Sequence, residues 1–179
     1  MSSLHIKNFL ITGKPGVGKT TFIRKLALNL GDVPYAGFFT EEIRREGKRL
    51  GFRIETFQGL NKILAHVDFH AFYRVSRYGV NLSALEEVIT HLQHLSSTPP
   101  KLWLIDEIGK MESFSPLFRQ FVENLLGSEQ GVVASISISG GGWIGQIRNR
   151  PDVRIFELTL KNRDTLVHEF SQTLKARLS

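Results

Sequence analysis

The apolar residues of the chain fall into short blocks, and many of these blocks have the pattern of β-strands. Runs on either side of Gly47 predict an antiparallel hairpin over 37–57. The run that ends at Asp106 is continuous, which is typical of a strand buried on both faces. Together with this run at 101–106, further strand-like apolar runs occupy 7–12, 63–69, 131–139 and 153–160.

Amphipathic segments with residues typical of helix starts and helix ends lie between the strand-like runs. Gly31 closes the first of them. Ser83 and Glu86 form a capping box that predicts a helix start at Ser83. Ser115 and Pro116 are typical of an N-cap and a first helical residue. The predicted helices occupy 19–31, 83–95, 115–127 and 162–178.

The order of these elements predicts the fold class. Strands alternate with helices over most of the chain, which indicates an α/β fold with a mostly parallel sheet and helices on both faces. The hairpin at 37–57 adds an antiparallel part. A length of 179 residues favours a single domain over 1–179. Ligands of such sheets bind at the carboxyl ends of the strands.

Composition and charge narrow the classes of partner. Hydrophobic residues make up 41% and charged residues 22% of the chain, as in ordinary globular proteins. No apolar run approaches the ~20 residues of a membrane span, and the N-terminal apolar segment is too short for a secretory signal, so we expect a cytoplasmic protein without a membrane partner. The absence of cysteine excludes disulfides and thiolate metal sites. A net charge of +6 suits a nucleotide or a nucleic acid.

A phosphate-binding loop is the strongest motif. The segment GKPGVGKT, Gly13–Thr20, satisfies the G-x-x-x-x-G-K-[ST] pattern, with a predicted strand before it and a helix after it. The glycines let backbone N–H groups face inward and form an anion cradle at the helix N-terminus. We predict that Lys19 reaches the β- and γ-phosphates and that the Thr20 hydroxyl binds Mg²⁺.

Two adjacent carboxylates end the apolar run LWLID. A phosphate loop needs a second acid near Mg²⁺ at the end of a neighbouring strand, and Asp106 supplies it. Glu107 points away from Asp106 and is placed to orient an attacking water or accept its proton, which indicates hydrolysis. We expect strand 131–139 to lie between the strand of the phosphate loop and the acidic strand. Its residues Ser137 and Ser139 are candidate contacts to water or γ-phosphate, or simply small residues on a crowded face.

Other nucleotide-binding classes can be weighed from the same residues. DEIG matches the D-x-x-G switch of GTPases, but the guanine-reading N-K-x-D motif is missing. A P-loop kinase of a nucleoside or small alcohol stays an alternative, because Glu107 can take the proton of a substrate hydroxyl. A nucleic-acid-binding module switched by NTP is a third, since Arg44, Arg45, Lys48 and Arg49 concentrate positive charge in the hairpin.

Several charged residues near the motifs have two interpretations. Lys14 resembles the extra lysine of one ATPase group that acts across a dimer, but Pro15 replaces the glycine of that group, so a solvated charge is the alternative. Lys110 either forms an ion pair with a nearby glutamate or touches the γ-phosphate. Arg148 and Arg150, expected in a loop, are either arginine fingers or solvated charges. The six histidines show no metal-ligand spacing.

Five segments together resemble one known family. The chain is similar to the small nucleoside-triphosphatases first described from thermophiles and called cancer-related nucleoside-triphosphatases in animals, and the similarity covers nearly the whole chain. The segments that carry it are GKPGVGKTT, GFFTEEIR with GKRLGFRIET, LIDEIGKME, IRNRPDV and LTLKNRDTL.

The resemblance implies a RecA-like P-loop NTPase domain with three layers. It also implies Mg²⁺-dependent hydrolysis of ATP, GTP, CTP, UTP and TTP with little base preference. Separately from the resemblance, we expect a monomer or weak homodimer, and the net charge of +6 makes nucleic acid a further candidate partner. SGGGWIGQIRNRP departs from the family pattern, so no family contact is carried over to that loop. Trp143 there is a candidate to stack on a base or to anchor the loop. By position, the nucleotide site comprises Gly13, Lys14, Pro15, Gly16, Val17, Gly18, Lys19, Thr20 and Thr21 with Asp106, Glu107 and Lys110.

Overall fold

The computed structural model describes residues 7–95 and 99–178, and its elements alternate as predicted. Residues 1–6, on which the expectation about a secretory signal partly depends, lie outside these ranges. The strands are β1 (Asn8–Thr12), β2 (Tyr35–Arg45), β3 (Lys48–Thr56), β4 (Asn61–His66), β5 (Arg74–Val75), β6 (Tyr78–Val80), β7 (Leu102–Ile108), β8 (Gly131–Ile136) and β9 (Val153–Glu157). The helices are α1 (Lys19–Asn29), α2 (Leu82–Gln93), α3 (Pro116–Gly127), α4 (Gly142–Arg148) and α5 (Arg163–Leu178), with a 3₁₀ turn at Glu112–Phe114.

The strands of the described ranges form one mixed sheet in the order β5-β6-β4-β3-β2-β7-β8-β1-β9. Strands β2, β7, β8, β1 and β9 are parallel, whereas β3, β4, β6 and β5 extend the sheet with antiparallel pairs. Strand β8 lies between β1 and β7, so the predicted position of this strand is confirmed. The end of β1 therefore stands one strand away from the end of acidic strand β7.

Two apolar layers cover the two faces of the sheet. Helices α1 and α5 pack on one face, and α2, α3 and α4 pack on the other. Side chains of β7 alternate between the layers: Leu104 joins the first, and Trp103 and Ile105 join the second. All three are buried, as the continuous apolar run predicts. The result is the expected three-layer α/β arrangement.

The predicted hairpin is confirmed as β2 and β3. Arg45 pairs with Lys48 across a two-residue turn of Glu46 and Gly47, whose φ angles of 51° and 76° are both left-handed. Such a turn matches the twist of antiparallel strands, and glycine adopts it without strain. Strand β4 confirms the run at 63–69 in a shifted position, whereas the short strands β5 and β6 were not predicted.

Three predicted boundaries are wrong. Helix α2 begins at Leu82, because the Asn81 side chain accepts the Ala84 N–H at 3.1 Å and acts as its N-cap in place of Ser83. Glu86 instead accepts a hydrogen bond from Ser115, the confirmed N-cap of α3. Strands β8 and β9 stop before the ends of their predicted runs.

The segment that follows β8 also differs from expectation. The glycine-rich stretch leads into helix α4, so Arg148 is the last helical residue and not part of a loop. Trp143 donates to Glu123 at 2.6 Å and packs edge-on against Phe118 of α3, which identifies it as the anchor of α4. Within residues 7–95 and 99–178, no helix is both long and apolar enough to cross a bilayer.

Candidate functional site

The phosphate loop connects β1 directly to the first turn of α1. Gly16 and Gly18 have φ angles of 79° and 106°, in the left-handed region that favours glycine. A side chain on Gly13 would meet the carbonyl oxygen of Leu158 at 2.8 Å. Lys19 Nζ donates to the Gly13 carbonyl at 3.3 Å and so folds back over the loop. The N-cap Gly18 offers no side-chain acceptor to the first N–H groups of α1, which suits an anion.

Asp106 lies at the centre of a group of hydroxyls from three other elements. Its carboxylate is only 2% exposed. Thr20 Oγ1 of the phosphate loop donates to Asp106 Oδ2 at 2.6 Å. Thr40 of β2 approaches the same oxygen with its N–H and its hydroxyl, both at 3.4 Å, and Ser135 of β8 donates to Oδ1. The phosphate loop and the acidic strand therefore meet through side chains.

Glu107 faces a cavity on the far side of Asp106. The cavity measures about 170 Å³, and its lining includes Glu107, Lys110, Glu112 and Ser137 but none of the phosphate-loop residues. Burial and the negative charge of Asp106 raise the pKa of Glu107, and the positive charge of Lys19 acts in the opposite direction. The carboxylate is thus tuned toward accepting a proton.

Gly109 brings a third carboxyl group close to Glu107. A side chain at Gly109 would meet Glu107 Oε1 at 2.7 Å and Glu112 Oε2 at 2.9 Å, so both carboxyl groups flank this residue. Glu112 is only 4% exposed. Burial, and then the charge of Glu107, raise the pKa of Glu112 well above its ordinary value. Burial of this kind favours the protonated form of the carboxyl group, and no motif in the sequence marks Glu112 for this environment.

The comparisons with known proteins decide the family. A family model described as NTPase matches residues 8–171. The nucleoside-triphosphatase THEP1 of Thermotoga sp. (strain RQ2) is 48% identical over 166 residues, which is 93% of this chain and 94% of the relative. The human cancer-related nucleoside-triphosphatase is 36% identical over 176 residues, with 90% and 93% covered. The chain belongs to this nucleoside-triphosphatase family.

Solved structures of the family have the same fold. The crystal structure of THEP1 from Aquifex aeolicus superposes with a TM-score of 0.82 at 36% identity, over 94% of this chain and 99% of that one. The solution structure of the human cancer-related nucleoside triphosphatase gives a TM-score of 0.78 at 36% identity, over 95% and 98%. The α/β P-loop NTPase fold and the family resemblance are therefore both confirmed.

The two candidate arginines of this nucleoside-triphosphatase differ in their contacts. Arg148 Nη1 donates to the Ser137 carbonyl at 3.0 Å and lies 3.4 Å from the Thr12 hydroxyl, beside the start of the phosphate loop. Arg150 instead forms a two-pronged pair with Asp152 at 2.6 and 2.9 Å, which lowers the pKa of that carboxyl. The structure therefore brings only Arg148 of these two to the site.

Other predicted residues are only partly gathered at the site. Lys110 is exposed at the mouth of the cavity, and within the described ranges it forms no ion pair with Glu107 or Glu112. Ser137 lines the cavity, whereas Ser139 is exposed beyond it. Lys14, Pro15 and Gly16 are exposed at the outer side of the phosphate loop.

The structure also bears on metal-binding clusters and on the positive charge of the hairpin. Among residues 7–95 and 99–178, no group of three or more His, Cys, Asp or Glu side chains is arranged to hold a metal. In the hairpin, Arg44 and Arg49 both pair with Glu42, at 2.6 and 2.7 Å. Part of the predicted basic character of the hairpin is therefore neutralised within it.

Sequence reasoning missed Thr40, Ser135, Glu112 and Arg163. Arg163 Nη1 donates to the Val17 carbonyl at 3.4 Å and braces the loop from the start of α5. A signal existed for Ser135, since a hydroxyl within a fully buried strand needs a polar partner. Thr40 is similar, because it ends the apolar run GFF of β2.

Proposed function

We propose that the chain hydrolyses nucleoside 5′-triphosphates, namely ATP, GTP, CTP, UTP and TTP, to the diphosphate and phosphate, with Mg²⁺ and little base preference. The observation that carries this proposal is the 2.6 Å hydrogen bond between Thr20 of the phosphate loop and Asp106, with Glu107 directly beyond it. The names of the relatives, which are nucleoside-triphosphatases, support it.

Mg²⁺ fits the oxygen atoms at this position. Thr20 Oγ1 and the buried Asp106 carboxylate are hard ligands, and Mg²⁺ is commonly held by one or two such groups together with substrate phosphates. When bound, the ion would neutralise charge on the β- and γ-phosphates. Thr40 and Ser135 orient Asp106 for this role through their hydrogen bonds.

In the proposed reaction, the phosphate loop holds the phosphates of the substrate, and Glu107 holds the attacking water. Loop N–H groups and Lys19 bind the phosphate oxygens. The water oxygen forms a bond to the γ-phosphorus while the bond from that phosphorus to the β–γ bridging oxygen breaks. The proton of the water passes to Glu107, whose raised pKa suits a general base. Arg148 neutralises charge that develops on the γ-phosphoryl group.

A panel of five NTPs measures this activity directly. Wild-type protein should release phosphate from all of them at comparable rates, and removal of Mg²⁺ with a chelator should stop release until Mg²⁺ is restored. Glu107→Gln should retain nucleotide binding while kcat falls by roughly 10²–10⁴, the range for loss of a general base. Glu87→Gln, which alters an exposed carboxylate on α2, is the matched control and should behave as wild type. Phosphate release no faster than background with every NTP would refute the proposal.

The cavity beside Glu107 favours one second candidate, phosphoryl transfer to a nucleoside or small alcohol. Its lining includes the apolar side chains of Phe52, Leu64, Val75 and Met111, which a site for water alone does not need. In this reaction Glu107 would take the proton of the acceptor hydroxyl. Product analysis separates the two functions, because a kinase forms the diphosphate and a phosphorylated acceptor without free phosphate.

Three partner and compartment predictions accompany the proposal. We expect a cytoplasmic protein. We also expect a monomer or weak homodimer, and sedimentation over a range of concentrations would test this oligomeric state. Nucleic acid is a further candidate partner, and the net charge of +6 supports it. Salt-dependent retention of RNA or DNA would identify such binding, and no retention at low salt would exclude it.

A further inference from the structure

We infer that the open groove between the phosphate loop and the loop that joins β9 to α5, residues 158–162, binds the nucleoside of the substrate, with Leu160 packed against the base. This inference rests on the proposed hydrolysis of nucleoside triphosphates and specifies how the same site binds the rest of the substrate. The groove measures about 570 Å³, within the usual size of small-molecule sites. Four of its lining residues, Lys14 to Val17, belong to the phosphate loop.

The strand order sets the direction in which the substrate lies. The γ-phosphate must point toward Asp106 and Glu107 at the end of β7. Strands β8, β1 and β9 follow β7 in that order, so the phosphate loop at the end of β1 separates the acidic pair from β9. A triphosphate with its γ end toward β7 therefore directs its α end, and the attached nucleoside, toward the loop after β9.

The walls of the groove suit an aromatic base. Pro15, Val17, Leu158 and Leu160 give it a largely apolar lining. Leu160 is 70% exposed, although it lies beside a phosphate-binding loop. A base stacked on this side chain would remove its apolar surface from water, which stabilises the complex.

The loop is held in a defined position against the phosphate loop. Leu158 N–H donates to the Thr12 carbonyl at 2.7 Å. The Asn162 side chain accepts the Thr159 N–H at 2.8 Å and donates to the Glu157 carbonyl at 2.9 Å, so it closes the turn that presents Leu160. Preorganised contacts of this kind reduce the entropy lost on binding.

The lining is also consistent with the weak discrimination between bases that we propose. The polar side chains that line the groove are those of Lys14, Glu157, Thr159 and Lys161; the lining has no Asn or Gln, whose amides make the two-pronged contact to adenine. Apolar packing acts on any aromatic face and is tolerant of the base. Contact through Leu160 therefore predicts similar affinity for purine and pyrimidine nucleotides.

Substitution of Leu160 tests the inference through the KM for each NTP. Leu160→Ala should raise KM for ATP, GTP, CTP and UTP by a similar factor, roughly three- to tenfold, because it removes most of the apolar contact. Leu160→Asp should raise KM further, and Leu160→Met should retain it. Leu28→Ala removes a leucine that is also largely exposed, at 83% on α1, and should keep the wild-type KM.

Inorganic tripolyphosphate, which has no nucleoside, distinguishes base contact from damage to the phosphate loop. Its inhibition constant against ATP should change less than twofold in Leu160→Ala, while melting temperature confirms folding. An unchanged KM for every NTP in Leu160→Asp would overturn the inference, and so would an equal loss of tripolyphosphate affinity. If wild-type protein hydrolyses NTPs but these results occur, the nucleoside groove fails and the proposed function stands. If the wild type releases no phosphate, the proposed function itself fails, and Kd values for the nucleotides replace KM in the same comparison.

Discussion

Gly109→Ala tests whether the position of the Glu107 carboxylate controls turnover. The new methyl group would lie 2.7 Å from Glu107 Oε1 and 2.9 Å from Glu112 Oε2. Ordinary contacts of this kind begin at 3.4 Å, so the Glu107 carboxylate must retreat by about 0.7 Å. A misplacement of about 1 Å can cost ~10²-fold in rate, and we therefore expect kcat to fall by roughly 10- to 100-fold.

Stability should respond less than turnover to this substitution. The clash is with side-chain atoms and not with backbone, but it includes Glu107 Cγ at 3.0 Å, and Glu112 is buried. The free energy of unfolding should therefore fall by about 1–3 kcal/mol, as is typical of overpacking. Steady-state phosphate release at saturating nucleotide measures kcat. Nucleotide titration and thermal unfolding measure Kd and stability in parallel.

Gly127→Ala is the matched control. Gly127 is the last residue of α3, and a Cβ there would meet nothing within 4 Å. This variant should gain about 0.5–1 kcal/mol in stability because alanine loses less backbone entropy on folding. Its turnover should equal that of wild type. If Gly109→Ala folds and keeps kcat within about twofold of wild type, the position of Glu107 has no bearing on the chemical step, and the role assigned to it is refuted.

Three further predictions concern charge, helix capping and the arginines. The pKa of Glu112 is raised in the folded state, mainly by burial and then by Glu107, so its contribution to stability is present below the ordinary glutamate pKa and is lost as pH rises through the raised value. Melting curves of Glu112→Gln should therefore show a gain over wild type that grows from acidic to alkaline pH; a constant gain would contradict the shift. Asn81→Ala should lower the free energy of unfolding by ~1 kcal/mol in denaturant titrations, whereas Ser83→Ala should change it by only a few tenths, and the opposite order would contradict the observed N-cap. Arg148→Ala should lower kcat more than Arg150→Ala in phosphate-release assays, because only Arg148 contacts the end of β8 beside the loop; equal losses would remove its special role.

The parts of the fold that depend on local pattern could be predicted from the sequence. The phosphate loop, the buried strand β7, the hairpin turn at Gly47 and the Ser115 cap all follow from residue types at short spacing. The central position of β8 was also predicted, because the acidic pair implied a P-loop class with that strand order. In each case a few neighbouring residues carry the whole signal.

The contacts that were missed depend on which strands become neighbours. Thr40 meets Asp106 because β2 pairs with β7, and no spacing along the chain encodes that pairing. Ser135 meets the same residue from β8, whose position was predicted although the contact was not. Asn81 and Ser83 are both good N-cap residues, and local sequence alone could not rank them. An ion pair was one of two expectations for Lys110, beside a contact to the γ-phosphate. The two glutamates flank Gly109 while the lysine stays in solvent, so in the described part of the chain the ion pair does not form.

The antiparallel strands β3, β4, β6 and β5 also form one edge of the sheet. This extension ends in β5, a strand of two residues, Arg74 and Val75. The Arg74 guanidinium donates to the carbonyl of Arg77 in its own hairpin and to that of Phe69 in the segment before β5. A short edge strand that carries a cation gives a strand of another chain few residues to pair with. Natural sheets limit edge-to-edge association in this way. The same extension that walls the cavity beside Glu107 thereby protects the chain against aggregation along this edge.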